Sequence, residues 1–193
     1  MDLDIVNTFK GGVHPLHQFD FDNVLSNLDE RVDSGLLNRQ QKPGFNLYNY
    51  SIQCQFEKKW DIYTLAARGL VLDMTEKKKI YTFCKFFNYG EMSLALPECS
   101  FTSWQKVDGS FICVWWNAYT DEWDTSTRGS FQSDQAIAAK KWLYSNCDLN
   151  LFNKDYSYLC EWIGPDNQVV IKYEKNELVL LGAYDLKTGV EIF

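Results

Sequence analysis

The chain has 193 residues, of which 46% are hydrophobic and 16% aromatic, and it carries a formal net charge of −7 at pH 7. This length and apolar content suffice for one domain with its own core and exclude an intrinsically disordered chain. The acidity argues against a broad nucleic-acid-binding face, because such a face needs clustered Lys and Arg. A protein whose cations concentrate in one cleft remains compatible with this charge.

The N-terminal residues, 1–44, are predicted to form a helical and loop preface to the domain. Between residues 18 and 38, apolar side chains recur at helix-like spacing among acidic ones, and Lys42-Pro43-Gly44 ends the segment. His14-Pro15-Leu16-His17 resembles a metal-binding pair, but Pro15 prevents helical presentation of the two imidazoles and no carboxylate or cysteine cluster adjoins them. We therefore predict a loop at these histidines.

From Leu47 onwards the pattern changes to β-strands, which are rich in β-branched and aromatic residues and separated by turn-forming clusters such as 118–122 and 164–167. The predicted strands lie near 47–56, 68–74, 79–86, 111–117, 123–128, 157–163, 168–173 and 177–184. Ser133 is predicted to cap a single internal helix that runs to about Cys147. Together these elements predict antiparallel sheets with a helix on one side.

Six cysteines stand at positions 54, 84, 99, 113, 147 and 160, and no two of them form a C-x-x-C pair. Several lie inside apolar runs, where a free cysteine behaves as a small buried hydrophobic residue. Reduced, buried thiols are therefore predicted, as is usual in the cytosol, with disulfides or a zinc site as the alternative.

The stretch Lys106-Val107-Asp108-Gly109-Ser110 lies between two strand-like runs and has a chemistry of its own. A lysine amine attacks the α-phosphate of a nucleoside triphosphate only when it is neutral, which requires a semi-buried site near other cations. Asp108 would share a face with Lys106 if the segment stayed extended. Gly109 lets the backbone approach a nucleotide closely, and Ser110 adds a small hydroxyl. Alone, such a string is more often the end of a strand that enters a turn.

The order of the segments around this stretch is more specific. The relevant segments are, in chain order, 67–73, 83–91, 126–130, 159–170 and 178–184. The series resembles the adenylyltransferase domain of the ATP-dependent RNA ligases, most closely the phage-type RNA ligase 1 family of tRNA-repair enzymes. The resemblance runs from about Tyr48 to the C-terminus. It is carried mainly by a K-F-F-N-x-x-E block that begins at Lys85 and an E-x-x-x-P-x-N-x-V-V block that begins at Glu161.

The resemblance implies an α+β fold, namely a nucleotidyltransferase (ATP-grasp-like) domain of antiparallel sheets with flanking helices, as a single adenylyltransferase domain over residues 1–193. It implies ATP and Mg²⁺ as cofactors and RNA as the substrate, with nicked tRNA as one candidate. AMP would be joined covalently to a lysine, passed to an RNA 5′-phosphate and released when that end is sealed to a 3′-hydroxyl. A cytoplasmic location, in the host cell if the source is viral, and no membrane partner are expected.

The resemblance also assigns roles to individual residues near the lysine. Lys106 would be the catalytic nucleophile that forms the lysyl-AMP. Asp108 would support the lysine or a metal-bound water, and Gly109 would permit the close approach of the nucleotide. Glu161 would accept hydrogen bonds from the ribose hydroxyls of ATP. The metal ligands stay unassigned.

Four further nucleotide-binding residues follow from the same resemblance. Arg68 and Lys85 would neutralise the triphosphate, since a guanidinium fork and a point charge suit phosphate oxygens. Phe87 would pack in the nucleotide pocket, and Arg128 would lie near the reacting phosphate. Each of these residues has an ordinary structural role as its alternative, a surface charge or a core ring.

The sequence departs from the family pattern at its end. The family continues with an E-G-x-V-type strand and a K-x-K strand, and neither occurs before Phe193. We therefore expect a domain without its C-terminal strands, completed by a missing C-terminal segment or a partner chain, or else impaired in activity. Two alternatives stay open: another nucleotidyltransferase, such as a DNA ligase or a GTP-using mRNA capping enzyme, and a non-catalytic or split remnant that binds nucleotide or RNA.

Overall fold

A computed structural model describes residues 12–88, 90–91, 100 and 103–192, so residues 1–11 of the predicted preface and Cys99 lie outside it. The helices are α1 (Phe21–Asp33), α2 (Ile52–Glu57), α3 (Ile62–Ala66) and α4 (Asp134–Asn146). The strands are β1 (Leu37–Lys42), β2 (Phe45–Tyr50), β3 (Arg68–Asp73), β4 (Lys78–Ile80), β5 (Ser110–Asn117), β6 (Glu122–Thr127), β7 (Tyr156–Ile163) and β8 (Glu177–Asp185). None of the helices in these ranges has the length and apolarity needed to cross a membrane.

The strands form two four-stranded antiparallel sheets that share a core. The first sheet has the order β1-β2-β3-β4 and the second the order β6-β5-β7-β8. Large buried side chains from both sheets meet between them, and the rings of Phe45 and Trp115 lie 6.1 Å apart. A second apolar cluster lies between the second sheet and α4 and includes Val114, Leu143 and Trp162. Antiparallel sheets with flanking helices confirm the predicted α+β class.

Helix α4 confirms the helix that the sequence predicted after Ser133. The Ser133 side chain accepts a hydrogen bond from the backbone N–H of Ala136 at 3.2 Å and so caps the first turn. The helix ends one residue before Cys147, where the prediction placed its end. Strands β5 to β8 also lie within a residue or two of their predicted positions.

The N-terminal part of the chain differs from the prediction of a helix to residue 38 and strands only from Leu47. Helix α1 ends at Asp33, and β1 already begins at Leu37. Gly35 adopts a φ of 78°, a left-handed conformation that terminates helices. Strand β1 fully buries only Leu37 and therefore shows no apolar alternation. As the edge strand of its sheet it is held by backbone pairing to β2.

The predicted strand at 47–56 and the prediction of a single internal helix were also wrong. Strand β2 ends at Tyr50, after which the Ser51 side chain accepts from the N–H of Cys54 at 3.0 Å and begins α2. Asp61 and Thr64 then form a capping box that begins α3. These local caps outweigh the β-propensity of the aromatic side chains around them.

Residues 168–173 form no strand, contrary to the prediction, and residues 169–171 form a bend. Their backbone finds other partners, because the N–H groups of Val170 and Ile171 both donate to the Asp108 carboxylate at 2.7 Å. Of the predicted strand at 79–86, only the first two residues lie within β4.

The His14 region forms a 3₁₀ turn over Pro15–Gln18 in place of the predicted irregular loop. His14 is buried, stacks on Tyr81 with ring centroids 4.4 Å apart, and meets the edge of Tyr184. Its backbone N–H donates to the carbonyl of Gly189 at 2.7 Å. The N-terminal side of the described chain is therefore tied to the turn that follows β8.

The five described cysteines carry free thiols, and three of them, Cys54, Cys113 and Cys160, are buried. Burial raises the pKa of Cys54 to about 11 and that of Cys160 to about 12. These two thiols therefore stay protonated at neutral pH and serve as small core residues.

Candidate active site

A cavity of about 1200 Å³ is lined by residues from both sheets and from the segment that precedes β5. Its charged lining residues, as far as the structure describes them, are Arg68, Lys106, Arg128 and Glu161. Three cations thus face one carboxylate, although the whole chain carries a net charge of −7. The cavity therefore suits an anionic ligand.

A β-bulge at Gly69 directs Arg68 into this cavity. The register of β2 and β3 shifts beside Asn49, which stands opposite Arg68 and lines the cavity with it. Gly69 has a φ of 87°, and a Cβ added there would lie 3.1 Å from the Cα of Arg128. Glycine at this bulge thus allows β3 to approach the end of β6. Two cations that are far apart in sequence meet as a result.

The guanidinium of Arg68 is held between two aromatic rings. Its Cζ lies 4.8 Å from the ring centroid of Phe86 and 5.4 Å from that of Phe111. Its Nη1 atom is buried and has no hydrogen-bond partner among the described residues. Burial lowers the pKa of Arg68, and an unpaired buried donor costs free energy. The site therefore holds a hydrogen-bond donor that an anionic acceptor would satisfy.

Arg128 is fixed at the cavity wall by Tyr50. Its Nη1 donates to the Tyr50 hydroxyl at 2.9 Å, and its Cζ lies 5.2 Å from the centroid of the same ring. A hydrogen bond and a cation–π contact to one buried ring limit the conformations of the guanidinium.

Lys106, Gly109 and Glu161 meet at the start of β5. The N–H of Gly109 donates to Oε1 of Glu161 at 3.1 Å. A Cβ at Gly109 would lie 2.2 Å from the carbonyl oxygen of Trp162, so this close approach of β5 and β7 requires glycine. Burial raises the pKa of Glu161 and outweighs the opposing effects of Gly109, Lys106 and Arg68. Lys106 is exposed on an irregular segment of the cavity wall, where the sequence predicted semi-burial.

Asp108 faces a different partner from the one predicted. Its carboxylate accepts from the backbone N–H groups of Ile171 and Val170, and these hydrogen bonds lower its pKa, with Lys106 adding a smaller effect. Its own N–H donates to the Tyr173 hydroxyl at 3.1 Å. Within the described part of the chain no hydrogen bond joins Asp108 to Lys106. In this structure Asp108 fastens the 168–173 segment beside the cavity.

Lys85 and Phe87 lie beside the cavity, and neither is among the described residues that line it. The Lys85 ammonium lies 4.4 Å from the Phe87 ring centroid and 3.5 Å from Oε1 of Glu91. The Phe87 ring packs edge-on against Trp60 at 5.5 Å. Phe86 lines the cavity and Phe87 does not, and the nucleotide-binding role of Phe87 stays a prediction.

Sequence reasoning missed Asn49 and Trp104, which both line the cavity. Oδ1 of Asn49 is buried without a hydrogen-bond partner among the described residues. The signal for Trp104 was its place two residues before Lys106, where side chains of an extended segment share a face. Asn49 carried no comparable signal, because only the pairing of β2 with β3 places it beside Arg68.

Comparison with known proteins places these residues in a family. A family model described as "RNA ligase" matches residues 66–191, which is more than half of the chain and contains all eight predicted site residues. The chain belongs to the phage-type RNA ligase family. Its membership confirms the resemblance that the order of motifs indicated.

Two relatives illustrate the match to the RNA ligase family. The RNA ligase of Rhodothermus phage RM378 is 25% identical over 181 residues, which cover 70% of this chain and 40% of the relative. The uncharacterized protein ORF64 of Ostreid herpesvirus 1 is 27% identical over 173 residues, which cover 81% of this chain and 42% of the relative. The chain thus spans about two fifths of the length of the curated relatives that it matches.

Among solved structures, an archaeal ATP-dependent RNA ligase shares the fold. The TM-score is 0.60 at 17% sequence identity, and the match covers 91% of this chain and 48% of that chain. Mixed helices and antiparallel sheets of the nucleotidyltransferase type, which the motifs predicted, are thereby confirmed for this member of the RNA ligase family.

Proposed function

We propose that this chain is the adenylyltransferase part of an ATP-dependent RNA ligase. It would transfer AMP from ATP to Lys106 and then to the 5′-phosphate of an RNA, which is sealed to a 3′-hydroxyl. The observation that carries the proposal is the meeting of Lys106, Arg68, Arg128 and Glu161 around one cavity. These are four residues that the family pattern assigns to nucleotide transfer, and they come from four different parts of the chain.

The first step can be written with the groups present. The neutral amine of Lys106 attacks the α-phosphorus of ATP, a nitrogen–phosphorus bond forms, and the bond to the bridging oxygen breaks as pyrophosphate leaves. The amine first loses a proton to solvent or to a base. Arg68 and Arg128 would stabilise the negative charge that collects on the phosphate oxygens, and the unpaired Nη1 of Arg68 would gain its missing acceptor.

Glu161 would orient the ribose of ATP. One carboxylate oxygen already accepts from Gly109, which fixes the side chain at the start of β5. A carboxylate has further acceptor positions, and these would receive the ribose hydroxyls. Lys85 and Phe87, which lie outside the cavity lining, would act by supporting the wall beside Trp60 in place of direct contact with phosphate.

Mg²⁺ fits this cavity as a companion of the triphosphate. Among the described lining residues Glu161 is the one carboxylate, and no cluster of three or more potential metal ligands occurs in the described ranges. Mg²⁺ is commonly held by one or two carboxylates together with substrate phosphates and water, so most of its ligands here would come from the triphosphate and solvent. When bound, the ion would lower the repulsion between the nucleophile and the triphosphate.

Intact-mass spectrometry after incubation with ATP and Mg²⁺ tests the proposal. We expect the 193-residue chain to gain the mass of one AMP, and Lys106→Ala to gain none. Lys141→Ala, which removes an exposed lysine of α4, is the matched control and should be labelled like the unaltered chain. Labelling that persists in Lys106→Ala would exclude Lys106 as the nucleophile.

The same assay separates the alternative functions. Labelling by GTP instead of ATP would identify a capping-type enzyme. Thermal stabilisation by ATP without any adduct would identify a nucleotide-binding remnant. Transfer of AMP to a nicked tRNA in preference to an unstructured 5′-phosphorylated RNA would support tRNA repair, and equal transfer would argue against it.

A further inference from the structure

Trp104 has an unusual position for a large aromatic side chain. It is 87% exposed, although burying a tryptophan is strongly favourable. It lines the cavity two residues before Lys106, on the same irregular segment. Its exposed ring is therefore available to a ligand in the cavity.

The size of the cavity leaves room for more than ATP. Pockets for a single small ligand usually measure about 300–1,000 Å³, and this cavity measures about 1200 Å³. The apolar lining residues Phe83, Val179 and Leu181 are available for the base of ATP. Phe86 is committed to covering Arg68. Trp104 also lines the cavity, and no part of ATP is assigned to its ring.

The charge of the chain limits how an RNA strand can be held. The three lining cations would be engaged by the phosphates of ATP, and the net charge of −7 repels a polyanion elsewhere. Base stacking on an aromatic ring needs no cation and is the usual means of holding single-stranded RNA. A stacking contact near Lys106 would therefore suit this acidic chain.

We infer that Trp104 is a stacking platform for the terminal base of the single-stranded RNA 5′ end that accepts AMP. A base stacked there would place its 5′-phosphate beside the adenylated Lys106, since the two side chains belong to the same short segment. The inference rests on the proposed function and adds the residue that positions the second substrate.

Fluorescence anisotropy with a labelled, 5′-phosphorylated single-stranded RNA measures this contact directly. Trp104→Ala should weaken binding to the full chain by about 5- to 150-fold, the range that stacking on one aromatic ring supplies. Trp104→Phe should recover most of the affinity. Tyr119→Ala removes a 73% exposed ring from the far end of β5 and is the matched control, with unchanged affinity expected.

The salt dependence of RNA binding gives a second readout. In the absence of ATP the three described lining cations would contact the RNA phosphates. The plot of log K against log salt should then have a slope no steeper than about −2, because each phosphate contact on a single strand contributes about −0.7. A steeper slope, or equal affinities for Trp104→Ala and the unaltered chain, would overturn the platform. Absence of RNA binding by the unaltered chain would overturn it as well.

Adduct formation with ATP, measured in parallel, separates this inference from the proposed function. If Trp104→Ala loses more adduct formation than RNA affinity, the ring stacks on ATP and the inference fails. If the unaltered chain forms no adduct but Trp104→Ala weakens RNA binding, the proposed enzymatic activity fails while the RNA platform stands. If the unaltered chain forms the adduct and Trp104→Ala loses more RNA affinity than adduct formation, the proposed function and the stacking platform are both supported.

Discussion

Arg68 illustrates, at the scale of a single residue, how this cavity differs from an ordinary protein interior. Most buried guanidinium groups have their donors paired, whereas Nη1 of Arg68 has no partner among the described residues. Phe86 and Phe111 place aromatic rings, which accept no conventional hydrogen bond, on the guanidinium. The free protein therefore keeps a desolvated donor whose stabilisation depends on a ligand.

Arg68→Met should consequently separate stability from activity. Methionine retains the length and apolar packing but removes the unpaired charge, so the free energy of unfolding in urea should stay within about 1 kcal/mol of the original or rise. AMP transfer to Lys106 should fall about 100-fold, as when one transition-state donor is removed.

Arg39→Met is the matched control for this change. Arg39 pairs with Asp29 at 2.8 Å outside the cavity, so its loss should leave AMP transfer unchanged. If Arg68→Met lost several kcal/mol of stability, Arg68 would be a structural residue, and the argument from its unpaired donor would fail.

At the scale of the elements, the segment 168–173 depends on one carboxylate. The Asp108 carboxylate accepts hydrogen bonds from two backbone N–H groups of that segment, so the stretch that contains Lys106 and this loop are held together. Asp108→Ala should raise the hydrogen-exchange rates of the Val170 and Ile171 amides about 10-fold, since the hydrogen bonds that protect them are lost. Mass-spectrometric hydrogen exchange at neutral pH measures this.

Asp148→Ala offers a matched comparison for the loop. Asp148 also accepts a backbone N–H, from Asn150 at 3.1 Å, but in a different turn. Its loss should leave the exchange of residues 170 and 171 unchanged. Equal exchange in Asp108→Ala and the unaltered chain would show that the loop is held by other contacts.

The elements also show what a sequence can and cannot predict. Strands β5 to β8 were predictable because they are rich in β-branched and aromatic residues, and α4 because it begins at the Ser133 cap. Strand β1 was not, because it buries only Leu37 and is held by its neighbour's backbone. The motif order selected Arg68 and Glu161, which line the cavity, and their nucleotide-binding role stays a prediction. The packing of Phe87 against Trp60 is a tertiary contact, which the local sequence pattern does not predict.

At the scale of the whole molecule, the buried His14 links the start of the described chain to the turn after β8. Burial lowers its pKa from 6.5 to about 3, with smaller contributions from Lys79 and His17. The unfolded chain binds a proton at this imidazole below about pH 6.5, and the native chain does so only near pH 3. The stability that depends on the neutral, buried imidazole is therefore complete above about pH 6.5 and is lost as the pH falls toward 3.

Urea unfolding between pH 7 and pH 4 tests this linkage. For each unit by which the pH falls, we expect protonation of His14 in the unfolded chain to lower the free energy of unfolding by up to about 1.4 kcal/mol. His14→Asn keeps an acceptor for the N–H of Leu16 but does not titrate, so its stability should depend less on pH. Identical pH slopes for the two proteins would show that other groups cause the acid sensitivity.

The bulge at Gly69 determines the face of β3 on which the Arg68 side chain lies. Arg68 lies opposite Asn49 and faces the cavity, whereas Leu70 lies opposite the buried Tyr48 and faces the core. In an unbroken strand Arg68 and Leu70 would share one face. With the extra residue, β3 contributes the Arg68 cation to the cavity. Without it, the same strand would direct this cation into the core. The one-residue bulge thus lets a single strand contribute both to the core and to the cavity.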